Sequence, residues 1–124
     1  MNHTEFKRIY GESRNGANGF VRHPLARSVI YSDGVQDVAE TGIYWALDIF
    51  ATELPKMMRQ HDEHMLVITI MVQDSKAHIT ATGSGDKMLP WSRVIDWTDM
   101  PDGDWIFYMS ADGDTATIIL PSEY

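Results

Sequence analysis

The sequence contains no cysteine, five prolines in 124 residues, and no lysine or arginine after Arg93. Each shortage removes a class of protein. Without cysteine there is no disulfide scaffold, thiol nucleophile, thiolate zinc site or iron–sulfur cluster. The longest apolar stretches, residues 42–51 and 65–72, fall well short of the roughly 20 residues a membrane-spanning helix needs. The polar opening MNHTEFKRIYGESRNG has no apolar run of signal-peptide type. A cytoplasmic protein with no membrane partner is therefore expected. Basic residues number 10 against 18 acidic ones, a net charge of −8. An excess of that sign makes direct nucleic-acid binding an unfavoured role, because phosphate neutralisation needs lysine and arginine.

What is present suffices for one domain spanning 1–124, with 44% hydrophobic residues to build a core. The charge is segregated. Residues 1–30 carry five basic residues against two acidic ones, a net +3, and residues 31–124 carry five against sixteen, a net −11. The segment 1–30 reads as a basic, irregular N-terminal arm. Gly11, Asn15, Gly16, Asn18 and Gly19 make 11–19 a loop, since glycine and asparagine tolerate positive φ. His23 precedes Pro24 and is pushed towards extended backbone.

A helix over 33–54 follows. Ser32 or Asp33 supplies its cap, Asp33 and Gln36 have capping-box spacing, and Pro55 stands near its stop. Val35, Val38, Ala39, Gly42, Ala46 and Ile49 form an apolar stripe at helical spacing. Beyond Gly42 the residues Ile43, Tyr44, Trp45, Leu47 and Phe50 widen it to nearly the whole circumference. Such a helix is buried on more than one side, either between two layers or in a homodimer formed through the Tyr44–Phe50 region. From Met65 the period changes to 2, with both faces apolar through Val72 as in an interior strand. Gln73–Lys76 is a turn and a hairpin continues through 77–82, a strand at 87–97 is demoted to an edge or a bulge by Pro90, and a final hairpin turns at Ala111-Asp112-Gly113-Asp114. The expected fold is α+β: an antiparallel β-meander of four to five strands over 65–120, with one long helix packed across a face.

Few constellations suggest chemistry. His61-Asp62-Glu63-His64 places two imidazoles three residues apart, but zinc needs a third and usually a fourth ligand. Glu53 and His78 are only loose candidates, so a solvated connector is the simpler reading and no metal is expected. Asp99, Asp102, Asp104, Asp112 and Asp114 lack the EF-hand series and read as turn residues. Gly83-Ser84-Gly85 lacks the Lys-Ser/Thr of a phosphate loop. No serine sits in a nucleophile elbow. No catalytic residue and no cofactor are expected.

Two clusters stand out as ligand-binding candidates. Arg22, His23, Arg27, Tyr31 and Asp33 gather two guanidiniums, an imidazole and a phenol before a helix N-terminus, a set suited to phosphate or carboxylate. The bland alternative is that Arg22 and Arg27 pair with the chain's own carboxylates. Tyr44, Trp45 and Asp48 would make a ligand cage, or, more ordinarily, part of the core.

Arg22-His23-Pro24-Leu25, Tyr31-Ser32-Asp33-Gly34-Val35, Ala39-Glu40, Tyr44-Trp45-Ala46-Leu47-Asp48 and Leu120-Pro121-Ser122-Glu123-Tyr124 carry a resemblance. In this order they resemble a family of small uncharacterised proteins of bacteria and of phage or other mobile-element DNA, with a RHPL…YTDGV…AYWLxD core and a terminal LPSEY. The resemblance covers residues 20–51 and the last five, and 56–115 match only in layout. Ser32 stands where the family has threonine, which keeps the capping hydroxyl, and Gly42-Ile43 replaces small residues ahead of Tyr44-Trp45. The resemblance implies a small cytoplasmic, mobile-element-borne protein and brings no activity with it.

The expectation is a small acidic, non-enzymatic interaction protein, an accessory factor that binds a host protein such as a defence or nucleic-acid enzyme. The alternative is a small-molecule or nucleotide binder, or an enzyme, using Arg22, His23, Arg27 and Tyr31.

Overall fold

A computed structural model describes residues 1–14 and 16–124; Asn15, part of the expected loop 11–19, lies outside the described residues. The elements are α1 (His3–Tyr10), β1 (Phe20–Arg22), β2 (Val29–Ser32), α2 (Asp33–Glu40), α3 (Tyr44–Gln60), β3 (Met65–Gln73), β4 (Lys76–Thr82), β5 (Met88–Ile95), β6 (Gly103–Asp112) and β7 (Thr115–Ile119). Short 3₁₀ turns occupy Ser84–Asp86 and Pro121–Glu123. The class is α+β, with three helices and one seven-stranded mixed sheet ordered β1-β2-β7-β6-β3-β4-β5.

Four features correct the sequence reading. The long helix 33–54 is two helices. Glu40 ends α2 and Tyr44 begins α3, and between them Gly42 takes φ +131, a conformation that interrupts a right-handed helix. Nor does Pro55 stop the helix. It lies inside α3, which runs on to Gln60. The sheet is also larger than four to five strands and is no simple meander. β6 pairs with β3 instead of β5, and β2 lies parallel to β7, Val29 opposite Ala116. The arm 1–30, expected to be irregular, contributes α1, β1 and the first half of β2.

Period-2 patterning explains where the core sits. Leu66, Ile68, Ile70 and Val72 of β3 are buried, while Met65, Val67 and Thr69 are half-buried and Met71 is exposed. Phe107 of β6 lies opposite Ile68 on the buried face and meets Phe50 of α3 at 5.6 Å between ring centroids. On the same face Trp105 meets Phe6 of α1 edge-on at 4.9 Å. The helices therefore cover one face of the sheet. Val67, Ile106, Tyr108 and Ile119 lie half-buried on the other face, where Tyr124 packs edge-on to Tyr108 at 5.3 Å.

The β3–β4 hairpin turns on Asp74 and Ser75, both at positive φ, +53 and +64, as a two-residue primed turn requires. At the other side of β3, the β6 backbone runs past the end of β7, and Tyr10 covers the exposed peptide. Its hydroxyl donates to the Ile106 carbonyl at 2.9 Å and accepts from the Ile106 N–H at 2.8 Å. Burial pushes this phenol's pKa up. Tyr10→Phe is expected to cost about 1–2 kcal/mol by leaving that peptide without partners. Urea unfolding checks this, and an unchanged midpoint would show that water replaces the hydroxyl.

Candidate functional site

The sequence RHPLAR forms a braced loop between β1 and β2. The His23 N–H donates to the Val29 carbonyl at 2.9 Å and the Val29 N–H to the Ala26 carbonyl at 2.9 Å. Nδ1 of the buried His23 ring accepts from the N–H groups of Leu25 at 3.2 Å and Ala26 at 3.0 Å. That assignment puts the ring hydrogen on Nε2, which donates to Asp48 of α3 at 2.8 Å. Both nitrogens are thereby engaged, and neither has a lone pair free to act as a general base. The Arg22 guanidinium closes the loop by donating to the Arg27 carbonyl. Among the described residues neither Arg22 nor Arg27 has a carboxylate partner, so the bland pairing does not hold for them. It does hold for Arg14, which reaches Glu12 at 3.9 Å and Asp37 at 3.6 Å. The braced loop leaves Leu25 at its tip, 75% exposed.

Of the other candidates, Tyr31 lies near this loop and Asp33 does not join it. The buried Tyr31 hydroxyl has its pKa raised by desolvation and by Tyr44, Asp48 and Glu40 around it. Asp33 instead accepts from the N–H groups of Gly34 at 3.0 Å and Asn18 at 3.3 Å. Trp45 packs partly buried against the core, and Ala46, Leu47 and Phe50 are buried within the chain's own fold, leaving Tyr44 as the exposed large side chain of Tyr44–Phe50.

The resembling segments YSDGV and LPSEY meet in space. Ser32 caps α2 by accepting from the Val35 N–H at 3.1 Å, and its hydroxyl donates to Glu123 Oε1 at 2.5 Å. The same oxygen accepts from the Leu120 N–H at 2.9 Å. Glu123 is only 7% exposed, and its carboxylate occupies the space beside Gly34, where a Cβ would come within 2.6 Å of Oε2. A carboxylate beside a helix N-terminus is stabilised by the helix dipole. These segments therefore lock the fold.

A second glutamate behaves alike. Glu63, in the His61–His64 cluster, turns inward to accept from the Ser84 N–H at 2.9 Å and the Ser84 hydroxyl at 2.8 Å. The Gly83-Ser84-Gly85 loop thus wraps an anion, the chain's own. The backbone hydrogen bond from Ser84, then that from its hydroxyl, lowers the Glu63 pKa below the ordinary carboxyl range. His64 stays exposed, 3.8 Å from Asp62. Among the described residues no three histidine or acidic side chains converge to hold a metal ion.

The sequence reading missed a groove at the far corner of the sheet. Met71, Gln73, Lys76, His78, Val94 and Asp104 help line an open depression of about 580 Å³. Register accounts for it: Met71 lies opposite both His78 and Asp104, and His78 opposite Val94. This brings four side chains from four strands into one row on the face away from the helices. Val94 is 69% exposed. Asp74, Asp96 and Asp102 share this end of the sheet. Asp74 lies in the β3–β4 turn, with its N–H donating to Asp102 at 3.1 Å, and Asp96 follows Ile95, which lies opposite Ala77. The Thr98 N–H donates to the Ser75 carbonyl at 2.8 Å, which places the 69% exposed Trp97 beside the same turn. Among the described residues none of Asp74, Asp96, Asp102 and Asp104 forms an ion pair. Asp104 lines the groove with Lys76, Gln73 and His78 beside Met71 and Val94, and the other three carboxylates lie on turns at the same end of the sheet. Only the alternating pattern of 65–72 and 77–82 with the hairpin could have signalled this, and it required knowing that β6 pairs with β3.

A sequence profile described as a family of unknown function, DUF6876, matches residues 12–124. No curated protein and no solved structure matches the chain.

Proposed function

The chain belongs to the DUF6876 family of unknown function, and from that starting point we propose that it is a small acidic, non-enzymatic interaction protein whose groove beside Met71 and Val94 seats a basic, apolar-bearing segment of a partner protein. The observation that carries this reading is the set of aspartates without ion pairs at this end of the sheet, Asp104 lining the groove and Asp74, Asp96 and Asp102 on neighbouring turns, beside the exposed Met71 and Val94. Apolar contact supplies affinity there, and the carboxylates choose a cationic partner and speed its arrival. The residues suited to acid–base chemistry support the same reading from the other side: His23, Glu63 and Glu123 are engaged in internal hydrogen bonds. The proposed partner is a basic host protein, of the kind that binds nucleic acid. The resemblance of the RHPL and LPSEY segments to proteins of phage and mobile elements supports an accessory role in that setting.

The test is affinity capture from native host lysate at about 50 mM and about 500 mM salt, with wild type, Val94→Asp and Asp102→Lys/Asp104→Lys as baits. A basic protein retained by wild type at low salt, and lost at high salt and from both variants, is the expected result. Capture that ignores the groove substitutions, or no capture at low salt, overturns the proposal.

A further inference from the structure

The chain itself carries a segment of the chemistry the groove would accept. The loop between β1 and β2 presents Leu25, 75% exposed, between two guanidiniums without carboxylate partners. Six hydrogen bonds to or from its own residues and Asp48 hold it in shape. Preorganisation of this kind removes the ordering cost of docking. An exposed leucine held so firmly has no role within its own fold: its backbone is fixed by His23, and its side chain meets solvent.

The loop cannot reach the groove of its own chain. β1 and β5 are the two edges of the seven-stranded sheet, separated by about 29 Å at the usual spacing of neighbouring strands. We infer that a second copy is the groove's occupant: Leu25 of one molecule packs over the row Met71, His78 and Val94 of the next, with Arg22 and Arg27 meeting Asp104 and the aspartates of the neighbouring turns. The inference rests on the reading of the groove as a seat for a basic, apolar-tipped segment. It adds that the chain is its own ligand, in competition with any partner. Two copies carrying −8 each repel, and the arm of net +3 is the part of one molecule that the acidic corner of another attracts. The contact is heterologous, a knob on one surface in a hole on another. Repetition builds an open row or, if the rotation closes, a ring. A loop in a groove buries less than the about 1,000 Å² of a durable interface, so the association is weak and salt-sensitive.

Sedimentation velocity on the full chain at up to about 1 mM protein, in about 10 mM and about 300 mM salt, tests this. Wild type is expected to form dimers and longer rows at low salt and to dissociate at high salt. Leu25→Asp, which lacks the knob, and Val94→Asp, which lacks the seat, are each expected to remain monomeric. Mixed in equal amounts they form a heterodimer and nothing longer, because each supplies the surface the other lacks. Both sites are exposed, and circular dichroism melting confirms the fold. If either variant melts early, Arg27→Glu and Asp104→Lys replace the pair. A monomeric wild type at the highest concentration in low salt, association that survives either substitution, or a mixture that stays monomeric overturns the inference. Lysate capture separates the two proposals. Leu25→Asp keeps its groove and should still capture the basic partner, whereas Val94→Asp should not. If wild type is monomeric while this pattern holds, self-association fails and the groove reading stands. If capture ignores both substitutions, the groove reading fails.

Discussion

Gly34→Ala destabilises the fold by about 2–3 kcal/mol, although alanine in a helix is ordinarily better than glycine by about 1 kcal/mol. The sign reverses because of what lies beside the α-carbon. A Cβ at residue 34 would sit 2.6 Å from Glu123 Oε2 and 2.8 Å from its Cδ. A flexible surface carboxylate would swing aside. This one is 7% exposed and is held through Oε1 by the Ser32 hydroxyl and the Leu120 N–H. Moving it breaks both hydrogen bonds and strips Ser32, the cap of α2, of its acceptor. The decisive measurement is a double-mutant cycle by urea unfolding. In a Glu123→Ala background the clash is gone, and Gly34→Ala becomes neutral or stabilising by up to about 1 kcal/mol. Stabilisation in both backgrounds would mean that the carboxylate yields freely and locks nothing.

Gly83→Ala is the second large effect, about 2 kcal/mol of destabilisation. A Cβ there would meet Glu63 Cδ at 2.4 Å, and the residue has extended backbone at φ −97, so the cost is steric and no positive φ contributes. The loop is wrapped around the carboxylate, with Ser84 giving it two hydrogen bonds. Acid titration distinguishes this cradle from simple crowding. Hydrogen bonding to the ionised form depresses the folded pKa of Glu63. Its contribution is therefore complete above the unfolded carboxyl pKa and is lost as pH falls through the folded value. Glu63→Gln keeps the shape and removes the charge. The stability gap between wild type and Glu63→Gln should be full at neutral pH and close in acid. A gap independent of pH would refute the charge-specific cradle.

These two glycines show where sequence reasoning stopped. Local signals were legible: the capping hydroxyl of Ser32, the alternation through Met65–Val72, the turn over Gln73–Lys76, and the edge position of the strand that carries Pro90 all have counterparts in the structure. What escaped were choices made between distant segments. Gly42 fits an apolar helical stripe, and nothing in that pattern signals its positive φ of +131 between α2 and α3. Nothing local distinguishes β6 pairing with β5 from β6 pairing with β3. Glu63 was hidden in a metal-like run of histidines and acids, and its partner Ser84 lies 21 residues away. The Arg22–Arg27 cluster was legible as unusual. Its geometry, a braced loop with a bare leucine, depends on Asp48 of α3, which no spacing rule connects to His23.

The parallel pairing of β2 with β7 has a consequence for the order of events at the ribosome. β2 emerges early, but its inner neighbour in the sheet, β7, is the last of the seven strands in chain order, and Ser32 waits for Glu123 before its hydroxyl has an acceptor. Loop closure over most of the chain must precede that contact, which makes folding slow for a domain of this size. Until then Val29 and Tyr31 form an unpaired apolar strand edge in the nascent chain, the kind of segment that attracts chaperones or a neighbouring polypeptide. Arg22 and Arg27 precede that strand in the chain, and charge beside an apolar strand discourages wrong pairing.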